Sequence, residues 1–534
     1  MLHCDYLVIG AGAASLAFID ALLTECPSTK ILLVDKGEAP GGHWLHDYDF
    51  VRLHQPSFAY GLSSRQLEGS WLKLLFLKFT LPWRHRATKH EILAYFGDFV
   101  RDHVASGAIQ YFPNCQYKFD DCGQQKKTSM DNVHIFSSLD GKMEYSVKVN
   151  IKLVNGVLGE CIIPSQHPVE FPVDDTINIM TPNQIYDAHQ RGTVLKETQS
   201  NKDSQYFIVL GNGKTAMDTI VYLQRNMNID PDKIFWVIPN DVWMIAMEGP
   251  GIPSPWSWPN ALMDHNGDFD SAALALEKNG ILVRIDKSIL PSKFRFPVVV
   301  ADELLLMRRI KNTIRSGRVT GIHIDGTPGE ILVSFTKGVD WKLRGIPVSA
   351  CNFIHCTSPG PFNGREVDGL FPSDNQLNLF FLFVPPVSLS MSVLGYLEAC
   401  RLKGSLDLSF GRNLVNTIVN VSKNEIEELS DNQVLNHLIC GCMLLFDSAT
   451  LKQGAFRSTV TLAMFLALAS KDPLEPYKWL SKNRLSLLSV PGYKCGICQS
   501  LDILIADGHK LGYDESEIQM LRLLNEKLEP LRKK

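Results

Sequence analysis

Apolar and polar positions along the chain repeat one arrangement twice. Asp5-Tyr6-Leu7-Val8-Ile9 is a short apolar run of the kind that forms a parallel strand buried on both faces. A helical spacing follows through Ala17, Ile19, Leu22 and Leu23, and then a second apolar run, Lys30-Ile31-Leu32-Leu33-Val34, that ends at Asp35. The same order returns with the run Tyr206–Leu210, the helical positions Ile220, Val221 and Leu223, and the run Ile234–Ile238. Further along, the pattern predicts an extended segment at Val283–Lys287, a helix over Glu303–Arg315, a strand at Ile331–Phe335 and another at Asn352–Cys356. From about residue 405 the spacing is helical. Ser422 with Glu425, Ser430 with Gln433 and Asp514 with Glu517 have the separation of capping boxes.

Each strand-to-helix turn is glycine-rich. The first reads Gly10-Ala11-Gly12-Ala13-Ala14-Ser15. Gly10 permits the tight turn, Gly12 lets backbone approach a pyrophosphate, and the small Ser15 lets helix and strand pack closely. The helix N-terminus offers free N–H groups and partial positive charge to phosphates. Asp35 falls where a carboxylate accepts hydrogen bonds from a ribose. The second turn reads Gly211-Asn212-Gly213-Lys214-Thr215. It is not a nucleotide-triphosphate P-loop, which needs a glycine where Ile208 stands. Past its second strand comes Pro239-Asn240-Asp241, neither a basic reader of a 2′-phosphate nor a well-placed ribose acid. The second site's own nucleotide is therefore open.

Composition adds little to this picture except exclusions. At 534 residues the chain exceeds one core, and 45% hydrophobic with 21% charged residues is ordinary for a globular protein. A net charge of -4 gives no case for nucleic acid. The longest apolar stretches, near Leu462–Ala469, are too short for a membrane span, and Met1 runs almost directly into a strand. Twelve scattered cysteines suggest reduced thiols in a cytoplasmic protein.

Asp35 is followed by Lys36-Gly37-Glu38-Ala39-Pro40-Gly41-Gly42-His43-Trp44. This stretch resembles the one after the ribose acid in flavin-containing monooxygenases and related two-dinucleotide-domain flavoproteins, where a Gly-Gly-x-Trp turn passes beside the flavin. The resemblance implies FAD at the first unit and NADP, or NAD, at the second. It implies an α/β fold: a discontinuous FAD-binding Rossmann-like domain (1–175 and a return segment 346–404), an inserted NAD(P)-binding Rossmann-like domain (176–345), and a helical C-terminal region (405–534). The candidate cofactor-binding residues are Gly10, Gly12, Ser15, Asp35, Lys36, Gly42, Trp44, Gln55, Gly211, Gly213, Lys214 and Thr215. Trp44 reads equally as a core aromatic and Gln55 as a loop residue. Val384–Ser390 starts a helix that could face the flavin or the surface.

The monooxygenase fingerprint between the glycine loops is absent, and Pro164-Ser165-Gln166-His167-Pro168 offers only a histidine between prolines. No general acid or base stands out. Cys495-Gly496-Ile497-Cys498 and Cys440-Gly441-Cys442 have metal-ligand spacing but favour structural thiols, so no metal is expected. Trp71–Phe79 with Trp83–Arg86 reads as a lid or core segment. Two functions fit: an FAD-dependent, NAD(P)H-driven oxidoreductase of monooxygenase type acting on a small organic substrate, or an FAD-binding protein with a degenerate nicotinamide site that serves a partner. The sequence does not set the oligomeric state.

Overall fold

The computed structural model describes residues 1–57, 60–67, 85–119, 132–159, 162–193, 205–247, 268–326, 330–337, 339–358, 369–380, 387–418, 423–444, 463–482 and 513–532, with isolated positions between 261 and 265 and between 498 and 509. Two mainly parallel sheets organise it. The first runs in the order Ile109–Phe112, Ile31–Val34, Leu2–Ile9, Glu144–Asn155, Val133–Ser138, Cys115–Tyr117, with Gln376–Asn378 also paired to Glu144–Asn155. The second runs Asn312–Ile314, Ile234–Val237, Tyr206–Leu210, Cys351–His355, Asn178–Met180, all parallel. Both dinucleotide units expected from the apolar runs are present. Each glycine turn lies at the carboxyl end of its sheet's central strand, where open α/β sheets bind ligands.

Two expectations shift. The strand Cys351–His355 pairs with Tyr206–Leu210 and Asn178–Met180, so it belongs to the second sheet. The chain returns to the first sheet only at Gln376–Asn378, later than a boundary at 346. The helix expected over Glu303–Arg315 ends at Arg308, and Asn312–Ile314 becomes an edge strand beside Ile234–Val237. Ile310, Thr313 and Ile314 are β-branched, and pairing with a neighbouring strand decides their conformation.

The helix Ala13–Glu25 packs along Val387–Leu402 so closely that a Cβ on Gly395 would lie 2.4 Å from the Phe18 carbonyl oxygen. The C-terminal helices are no appendage: Leu414, Phe465, Trp479 and Leu524 share one apolar core with Leu16 and Phe18. Two capping boxes close as expected, at Ser430 with Gln433 and at Asp514 with Glu517; Ser422 lies outside the described residues. Beneath the first sheet, Glu398 of the helix Val387–Leu402 accepts from Lys152 (2.9 Å), the Tyr6 hydroxyl (2.8 Å) and Arg401 (2.7 Å). Burial pushes the Glu398 carboxyl up, but Arg401 and Lys152 outweigh it and hold it below its usual value. No helix among the described residues is long and apolar enough to cross a membrane.

Candidate active site

At the first loop Gly10 has φ +95°, and a Cβ there would meet Val157 at 2.8 Å. Gly12 precedes the helix Ala13–Glu25, whose first turn carries neither a side-chain cap nor an acid. Its N–H groups are thus left for an anion. Gly42, at φ +61°, crosses this loop so closely that a Cβ on it would sit 3.0 Å from the Gly12 Cα, and Gly41 donates to the Ala11 carbonyl at 2.9 Å. Among the described residues the Ser15 hydroxyl is buried without a partner against Gly156. Asp35 accepts from the Ala11 and Gly37 amides. The Tyr111 hydroxyl nearby is buried with no partner among the described residues, and burial, then Asp35, raises its pKa. Lys36 is exposed and Gln55 half-buried. Trp44 is a core aromatic, 6% exposed, whose indole N–H donates to the Tyr60 hydroxyl at 2.9 Å.

At the second loop Gly211 has φ +121° and lies against Cys356 and Thr357. Gly213 again precedes an uncapped helix, Lys214–Arg225, and open space faces its Cα. Asn212 donates to the Asn240 carbonyl at 2.6 Å, while its own side-chain oxygen is buried and has no partner among the described residues. His355 ends the adjacent strand with its ring 6.3 Å from that of His167, the histidine between prolines.

The segment after the first loop meets the second loop's helix at a junction that the sequence did not reveal. Lys214 does not face outward. Its amine is held by Asp218 one turn along and by Glu303 at 3.5 Å, and Glu303 also accepts from Arg86. The Tyr48 hydroxyl, from the stretch after Trp44, donates to Asp218 at 3.0 Å and also meets Thr215. Phe50 stacks on Tyr222 with ring centroids 4.1 Å apart. Burial pushes the Asp218 carboxyl up despite Lys214 beside it. Burial likewise raises Asp47 to about 7 and lowers His43 to about 4. His54 keeps exposed area yet is held well below its usual value by burial, then by Lys214 and Arg86. Its ring is therefore neutral at neutral pH, a hydrogen-bonding group rather than a cation.

Several sequence features stand outside this site. Trp71–Arg84, Pro359–Gly360, Val384–Pro386, Cys495 and the side chains of Cys440 and Cys442 lie outside the described residues. Cys498 is buried, and no metal-holding group occurs among the described residues.

No known family profile matches the chain. It is 33% identical over 339 residues to uncharacterized proteins of Mycobacterium tuberculosis and Mycobacterium bovis, covering 61% of this chain and 57% of each relative. The match thus spans little more than half the length of these relatives. Among solved structures, an open form of cyclohexanone monooxygenase matches at 13% identity over 75% of this chain and 88% of that one, with a TM-score of 0.43. Steroid monooxygenase bound to NADP matches at 13% over 83% and 98%, TM-score 0.44. An ornithine N-hydroxylase from Kutzneria matches at 14% over 69% and 84%, TM-score 0.40.

Proposed function

We propose that the protein is an FAD-dependent oxidoreductase, reduced by a nicotinamide dinucleotide, that passes the electrons to dioxygen and a small organic substrate. The observation that carries this reading is a direct tie from the first unit to the second loop's helix: Tyr48, which follows the first loop's Gly-Gly turn, bonds Asp218 in the first turns of the uncapped helix Lys214–Arg225.

The first site fits FAD by its own polar atoms. The amides after Gly12 would take the pyrophosphate, with Gly10 and Gly42 keeping the approach free of side chains. Ser15 and Tyr111 present buried hydroxyls without partners among the described residues, and Asp35 would stand as the acid on the ribose side of the loop. Bound there, FAD supplies a two-electron acceptor for hydride and a donor to oxygen. The chain's own residues bind, shield and set charge. Lys214, Asp218, Glu303 and Arg86 form a compensated floor to the junction. Tyr48 keeps its proton, directed at Asp218 Oδ2. His54 stays neutral.

A second reading has one observation in its favour: Lys214 is occupied by two carboxylates, so the second loop presents no lysine to a phosphate. On that reading the protein binds FAD but turns over without nicotinamide. The visible spectrum of the purified protein, recorded before and after anaerobic NADPH and NADH, separates them. Bleaching of a bound flavin supports the first reading; a flavin that neither nucleotide reduces sinks it.

A further inference from the structure

The Gly41–Gly42 turn that crosses the first loop is soft by itself. Both glycines have positive φ, and glycine gives up more conformational freedom on being fixed than any other residue. The chain that leaves the turn must therefore be held. The short 3-10 turn Gly42–Leu45 closes with His46 N–H donating to the His43 carbonyl at 2.9 Å, so the place of His46 sets that of Gly42. From His46 onward the grip alternates between the two units. Lys89 of the first unit donates to the Asp47 carbonyl at 2.7 Å and to the Asp49 carboxylate at 3.0 Å. The residues between are taken from the other side.

The His46 carbonyl accepts from Ser165 Oγ at 2.8 Å and from Asn183 Nδ2 at 2.9 Å. Ser165 lies on the segment leading to the second sheet, and Asn183 in the first turn of the helix Pro182–Gln190. Tyr48 reaches Asp218. Phe50 goes furthest, because it packs against the apolar core of the first unit and against that of the second. On the second side its ring lies flat on Tyr222, at an interplanar angle of 16°, with Tyr186 at 6.2 Å. The Tyr222 hydroxyl is hydrogen-bonded to His189 Nδ1 at 2.7 Å, which fixes the ring that Phe50 stacks on. Phe50 thus relays the position of the helices Pro182–Gln190 and Lys214–Arg225 back along the chain to Gly42.

We propose that Phe50 is a positioning residue for the first site: seated on Tyr222, it holds the Gly41–Gly42 turn against Gly12, so that the second unit sets how firmly the first retains FAD. This rests on the reading of the first loop as an FAD site. Linkage makes the coupling reciprocal, and FAD at the first loop in turn stabilises the seating of Phe50 in the second unit.

The test uses full-length protein carrying its flavin. Release of FAD on dilution is followed by the rise in free-flavin fluorescence, with Tm recorded alongside. Phe50→Ala is expected to release FAD at least about tenfold faster, within the range of coupling between sites. Phe50→Tyr, which keeps the flat ring, restores most of the difference. Val333→Ala controls for lost stability alone: Val333 is fully buried in a separate core that Phe50 does not join, so Tm falls while release is unchanged. In the reverse direction, adding FAD to flavin-free protein slows amide exchange over Pro182–Gln190, and Phe50→Ala abolishes that slowing. Equal release from Phe50→Ala and the unaltered protein, or equal acceleration by Val333→Ala, overturns the role and leaves the FAD site in place. An unaltered protein that neither carries nor takes up FAD overturns the role and the first-site reading together. If Phe50→Ala does not fold, Phe50→Leu decides, since it keeps apolar volume and loses the stack: faster release supports the role and unchanged release refutes it.

Discussion

The Tyr48 hydroxyl donates to Asp218 Oδ2 at 3.0 Å across 170 positions of sequence, and this bond fastens the segment after the first glycine motif to the helix of the second. Asp218 also holds Lys214, so one buried carboxylate serves both sides of the junction. Tyr48→Phe is expected to cost about 1–2 kcal/mol, because it leaves a buried acceptor short of a donor. A lowered Tm together with slower flavin reduction by nicotinamide is the expected result. A lowered Tm with unchanged reduction would confine the bond to a structural role.

Gly42 and Gly213 should separate the two sites. Alanine at Gly42 requires a positive φ and meets the Gly12 backbone at 3.0 Å, so neither partner can yield easily. Flavin content, read from the ratio of visible to ultraviolet absorbance, should fall sharply in Gly42→Ala. Gly213→Ala has open space and a φ of -82°. It should retain flavin and lose nicotinamide binding, since the added methyl fills the approach to the second helix.

The pH dependence of stability should carry opposed contributions from Asp47 and His43 at the junction. The folded Asp47 pKa, about 7, lies above its ordinary 3.8, so the folded state binds the extra proton and stability falls as pH rises between those values. The folded His43 pKa, about 4, lies below its ordinary 6.5, so the unfolded state binds the extra proton and stability rises over that interval. The two offset each other between about pH 4 and 6.5. Asp47→Asn removes one contribution that falls with rising pH, so Tm should climb more steeply across that range than in the unaltered protein. An unchanged slope would remove Asp47 from the account.

Glu398 should be the most costly single site outside the loops. Its loss leaves Lys152, 1% exposed, with its charge uncompensated beneath the first sheet. Breaking a buried ion pair from one side costs about 3–5 kcal/mol. Chemical denaturation of Glu398→Ala should show at least that loss, or no soluble protein. Lys152→Met, in which a shape-matched apolar residue replaces the ammonium, should cost less because Arg401 still satisfies the carboxylate.

Both glycine loops and their flanking strands were legible in the sequence because their determinants are local: apolar runs, glycine spacing and a helical period lie within one βαβ unit. The direction of Lys214 was not. It depends on Glu303, 89 positions away, and nothing near Lys214 announces that partner. The edge strand Asn312–Ile314 was obscured by its expected place at a helix end, when pairing with Ile234–Val237 decides its conformation. The sheet that takes Cys351–His355 was also hidden. A strand buried on both faces carries the same apolar run in either sheet, so membership is decided by tertiary contact. The C-terminal helices looked separate for a related reason, since their apolar stripes do not name the helix they cover.

The return of the chain at Gln376–Asn378 has a further consequence. This strand pairs directly with Glu144–Asn155, Asn378 opposite Asn155, so the polypeptide re-enters the first sheet beside the strand from which it departed. Adjacent strands lie about 4.8 Å apart. The second sheet is thus a cassette carried between two neighbouring anchor points. The host sheet closes its own hydrogen bonds across the point where the chain leaves and returns, whatever length of chain lies between.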